Sequence, residues 1–152
     1  MLEHLHNFSG DTDNAELNYM TPEKSKLLFD AFPSIYRGRV KLIEESLMSF
    51  GFESDDGWFD LIWTLSQKIE DAAKAPGLNP QCDSWPETTQ VKEKFGIVRF
   101  HLNNHNEVMN DLISEAQEVS AKTCEICGSP GSRVVGRRVK TLCDIHAKEF
   151  FL

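Results

Sequence analysis

The sequence predicts an α+β fold, with several helices around a small antiparallel sheet and a Cys/His ribbon at the C-terminal end. Three observations carry that reading. Residues 58–72 repeat apolar side chains at helical spacing. Residues 91–102 place Val91, Ile97, Val98, Phe100 and Leu102 around Gly96, the pattern of a hairpin or bulged strand pair. Near the end, Cys124-x-x-Cys127 and Cys143-x-x-His146 repeat one spacing with residue types that bind metal.

The elements follow in chain order. Residues 1–20 show no sustained period and are rich in Asn, Asp, Gly and Ser, which predicts a loosely held arm. His4 and His6 in it are metal-competent, although histidines near a terminus are usually just solvated. A helix opens at Thr21 as N-cap, with Pro22 at the first helical position, and Pro33 ends it. The stretch 41–50 is ambiguous, open to a short helix, while Gly51 and Gly57 break regular structure. Asp56 is the expected cap of a long helix whose stripe is Trp58, Leu61, Ile62, Leu65, Ile69 and Ala72. Three prolines make 76–89 a long loop, which holds Cys82 and Trp85. A last helix spans about 104–122, with Val108, Leu112, Ile113, Ala116 and Val119 facing inward. The domain organisation is thus an arm (1–20), a core (21–122) and a ribbon (123–152).

In that ribbon, Cys-x-x-Cys sets two thiolates on one tight turn, and Gly128 follows where the chain needs positive φ or close approach. The fifteen residues between Cys127 and Cys143 leave room for two short strands and a turn at Gly136. Cys124, Cys127, Cys143 and His146 are the expected ligands of a zinc ion. Four protein donors fill a tetrahedron, so the zinc is expected to be structural rather than catalytic. A Cys124–Cys127 disulfide is the alternative, but so tight a pair is strained and usually redox-active. "HNE" at 105–107 followed by "TCEIC" resembles a zinc deaminase only superficially. Thr123 stands where that signature has proline, and Cys143 and His146 would have no role.

Charge is unevenly spread. The net charge is −8, but residues 1–120 hold 10 Lys/Arg against 21 Asp/Glu, and residues 121–152 hold 6 against 3. An acidic body disfavours broad nucleic-acid binding and suits a basic protein partner, or solubility alone. Arg133, Arg137, Arg138 and Lys140 on the ribbon are candidates to meet nucleic acid, to dock on the acidic body, or to keep the hairpin soluble. Glu53, Asp55, Asp56 and Asp60 gather within eight residues, a pattern that serves magnesium binding or helix capping. Neither a membrane-length apolar run nor a signal-peptide core is present, so a cytoplasmic protein is expected.

The stretches "SLMSFGFESDDGWFDLI", "QVKEKFGIVRFHL" and "SAKTCEICGSPG…TLCDIHA" resemble a largely uncharacterised family of small bacterial and phage proteins with this C-terminal ribbon. The resemblance covers most of residues 27–147. It implies that Ser49 and Ser54, often cysteine in that family, are not required ligands. It supports the ribbon and implies no activity.

Size, acidity and the lack of a catalytic motif predict a non-enzymatic inhibitor that binds a protein. An immunity protein occluding the active site of a toxin with a basic cleft fits best. Glu53, Asp55, Asp56 and Trp85 are its expected contact residues. The alternatives are a regulator binding nucleic acid through the ribbon arginines and a hydrolase using Asp55 and Asp56.

Overall fold

A computed structural model describes residues 19–150, and the sequence expectation of an α+β fold is met. The expected arm lies mostly outside these residues, as do His4 and His6. Its last residue, Met20, belongs to the core and donates its N–H to Phe52 O at 3.0 Å.

Helix α1 (Pro22–Ala31) starts after Thr21 with Pro22 in its first turn and stops just before Pro33. The chain then runs through two short 3₁₀ turns, Arg37–Val40 and Met48–Phe50, which resolves the ambiguous stretch 41–50 against a regular helix. Its ends are tied down by Ile35, Tyr36 and Met48, all buried, which holds the segment to the core without regular structure between. Strand β1 (Phe52–Glu53) leads into a 3₁₀ turn, Asp56–Trp58, and helix α2 (Phe59–Lys74). The stripe of α2 is close to the expected one: Ile62, Leu65, Ser66, Ile69 and Ala73 are buried. Ser66 is satisfied there, its Oγ 2.6 Å from Tyr36 Oη.

Strands β2 (Glu87–Lys94) and β3 (Ile97–Asn103) form an antiparallel pair with an irregularity between Thr88 and Gln90. Phe95 and Gly96 turn the chain with φ of 57° and 81°, the left-handed pair that suits a two-residue hairpin. Strand β1 adds parallel to β2, so the sheet is mixed rather than purely antiparallel.

Helix α3 (Glu107–Ser120) is capped by Asn106, whose side chain accepts from Met109 N at 2.9 Å. Its inward face is Met109, Ala116 and Ser120, with Leu112 and Ile113 partly covered. Val108 and Val119, expected inside, are exposed. Ser120 replaces them because its Oγ accepts from Val98 N at 3.0 Å and donates to Gln117 O at 2.7 Å, joining α3 to β3. The ribbon consists of β4 (Ser132–Val135), β5 (Val139–Leu142) and the short helix α4 (Asp144–Phe150), which the sequence reading did not anticipate. Among the described residues no helix is long and apolar enough to cross a membrane.

Candidate metal centre

The ribbon brings four donors together: Cys124, Cys127, Cys143 and His146 place their ligand atoms within 4.8 Å of one another. The first two sit on a turn closed by Gly128 N to Cys124 O at 2.9 Å, and Gly128 takes a φ of 83°. The second two lie where β5 meets α4, whose first turn closes through Ala147 N to Cys143 O at 2.8 Å. The β4–β5 hairpin folds one pair onto the other. All three cysteines are unbridged, so the tight disulfide is not formed.

The spacing fits one ion. In a tetrahedron with bonds of about 2.3 Å, sulfurs stand about 3.8 Å apart. Cys127 and Cys143 have their sulfurs 3.8 Å apart, and His146 Nδ1 lies 3.6 Å from Cys124 Sγ and 3.2 Å from Cys143 Sγ. Three sulfurs and an imidazole nitrogen suit a thiophilic ion. The hydroxyl and N–H of Ser129 draw the Cys127 thiol down to about 6, while burial pushes Cys124 up. The N–H of His146 lowers Cys143.

The ribbon's polar contacts reach the 55–58 turn and the tip of the β2–β3 hairpin, and Gly131 N donates to Lys122 O just after α3 at 2.9 Å. Gly57 N donates to Glu125 O at 2.7 Å, Asp55 N to Glu125 Oε2 at 3.1 Å, and Trp58 Nε1 to Thr123 O at 2.9 Å. At the hairpin tip, Thr141 Oγ1 donates to Gly96 O at 2.7 Å and Arg133 to Phe95 O at 3.0 Å. Between these contacts Glu125, 1% exposed, meets Lys140 Nζ at 3.0 Å, and Lys140 also reaches Glu93 at 3.2 Å. This ion network was missed because a glutamate inside a Cys-x-x-Cys turn and a lysine on a basic strand both look solvated in sequence.

The expected partner-binding residues need correction. Trp85 is fully buried and cannot be a surface contact. Its carbonyl oxygen accepts from Arg37 at 2.8 Å and from Asn104 at 3.1 Å, so it fastens the proline-rich loop to the body. Asp56 does not cap α2; its Oδ1 accepts from Thr21 N at 2.9 Å, at the start of α1. Asp55 lies half-buried against the knuckle, and burial pushes its carboxyl up while Lys140 draws it back. Glu53 accepts from Gln90 Nε2 at 3.2 Å beside the sheet. The four therefore do not make one open contact patch. His105 and Glu107 stand exposed at the start of α3, outside the donor cluster.

Comparison of the chain with protein-family models, curated proteins and solved structures found no match.

Proposed function

We propose that the protein is a zinc-clasped, non-enzymatic inhibitor that binds another protein, as an immunity protein binds a toxin with a basic cleft. The observation that carries this reading is the acidic outer face of α3. Glu107, Asp111, Glu115 and Glu118 are all exposed, and their spacing of four, four and three residues puts them on one side of the helix. Lys68 Nζ lies 3.4 Å from Glu115 of this row. Such a row concentrates part of the net charge of −8 on one face and speeds the approach of a positively charged partner. Zinc is the ion this donor set suits best. With four protein ligands it holds the ribbon and leaves no position for a substrate.

The competing nucleic-acid reading loses part of its basis. Lys140 is buried in its ion network and Arg133 is engaged with the β2–β3 turn, so two of the four ribbon cations serve docking.

The test is capture from extracts of the native cells, followed by an activity assay of whatever is captured. The expected result is a single stoichiometric protein whose own enzymatic activity falls in proportion to the amount bound. Capture of DNA or RNA that Arg137→Ala with Arg138→Ala abolishes would contradict it.

A further inference from the structure

Residues 37–50 form a loop with no helix longer than a 3₁₀ turn, yet it exposes large apolar side chains. Val40 is 84% exposed, Leu42 69%, Ile43 55% and Phe50 51%. Isolated surface leucines need no explanation, but four such residues within eleven positions do.

The loop is held in shape from below. Arg37 donates to the carbonyl oxygens of Ser34, Trp85 and Pro86 at 2.7, 2.8 and 3.0 Å. Lys41 Nζ lies 3.0 Å from the largely buried Glu87. Leu47 N donates to Thr89 O at 2.8 Å, and Gly38 is packed so closely on Ser46 that a Cβ there would collide with it. The apolar side chains are therefore presented by a fixed scaffold, which lowers the ordering entropy lost when a partner covers them.

We propose that this loop is the anchor of the interface, seating Leu42 and Ile43 in an apolar cleft of a partner protein whose rim carries lysines or arginines. Charge decides between that occupant and a second copy of this chain. Of the loop's cations, Arg37 and Lys41 are drawn to Glu87 and Arg39 lies over the Phe29 ring at 5.0 Å. Glu44 and Glu45 are exposed beside Ile43, so two copies meeting here would bring these carboxylates together, and each copy already carries −8. A partner with a cationic rim meets the same two carboxylates favourably. The loop takes this role only if the protein-binding function proposed above holds.

The experiment uses the protein captured by the wild-type chain from native cells, purified, with its Kd for the full chain measured against Leu42→Asp/Ile43→Asp. The expected result is at least a 100-fold weaker Kd, with thermal midpoint and metal content unchanged. If the double variant loses its fold, the milder Ile43→Ser is used, together with a benzoylphenylalanine photo-crosslinker at position 42. A loss of at least tenfold and a crosslink to a cleft edged by Lys or Arg are then expected. A Kd within threefold of wild type for a folded variant overturns the loop as anchor and leaves the protein-binding function standing. If the wild type captures no protein, both fall. A wild-type dimer that the substitutions split into monomers also overturns the proposal, since the occupant is then a second copy.

Discussion

Lys140 Nζ stands 3.0 Å from Glu125 Oε1 with both side chains buried, and this pair ties the Cys124–Cys127 knuckle to strand β5. The same ammonium reaches Glu93 at 3.2 Å, so it also ties the ribbon to β2. Removing one partner of a buried pair is worse than removing both, because a charge is left without compensation. Lys140→Met should therefore cost about 3–5 kcal/mol in the zinc-loaded protein. Lys140→Met with Glu125→Gln should recover part of that loss. Denaturant unfolding at saturating zinc checks both. A Lys140→Met protein as stable as wild type would show that the network does not hold the ribbon.

Gly57 is the second fastening point. A Cβ at this position would collide with the carbonyl oxygens of Cys124 and Glu125, both backbone atoms that cannot swing aside. Gly57→Ala should lower stability by about 1–3 kcal/mol, the range for overpacking, and speed loss of metal to a chelator. Gly51, with a φ of 79° but nothing within 4 Å of an added Cβ, is the control. Gly51→Ala should strain the backbone without changing metal release.

Trp85 separates a structural residue from a binding one. Trp85→Ala should cost about 3–5 kcal/mol, as expected for deleting a large buried side chain. Thermal unfolding measures it, and a stability equal to wild type would place this ring at the surface.

Tyr36 gives an alkaline signature. Burial pushes its phenol well above the ordinary value near 10, only partly offset by the hydrogen bond it shares with Ser66. Above pH 10 the unfolded chain loses this proton while the folded chain keeps it, so stability falls as pH rises. The slope approaches about 1.4 kcal/mol per pH unit for this single group. Stability measured from pH 9 to 11.5 should show that fall in the wild type, and Tyr36→Phe should flatten it.

Periodicity made α2 and the β2–β3 hairpin legible, because the side chains that pack in them are apolar and regularly spaced. The cluster of Cys124, Cys127, Cys143 and His146 was legible for a different reason: sulfur and imidazole at repeated spacing have few other uses. What stayed hidden was polar. Ser120 reads as a surface residue on a helix, yet it bonds the backbone of Val98. Glu125 and Lys140 are 15 residues apart, and nothing in their local sequence marks them as partners. Trp85 sits among prolines, which signal a loop but not whether its aromatic ring folds inward. Asp56 has the right type and place for a cap of α2, but Thr21 N competes for the same oxygen.

The loop at 37–50 shows the limit from the other side. Its sequence left a short helix open, but only Ile35, Tyr36 and Met48 at its ends enter the core. The residues between them are left facing water.

The central claim is that the four ligands close the metal off and leave function to the surface. Cobalt substitution tests it most directly. The zinc-free chain titrated with Co²⁺ should take up one ion, with the absorption of a tetrahedral site bearing three thiolates, and azide should leave that spectrum unchanged. An azide-sensitive or five- or six-coordinate spectrum would mean an open position on the metal, and would contradict the account.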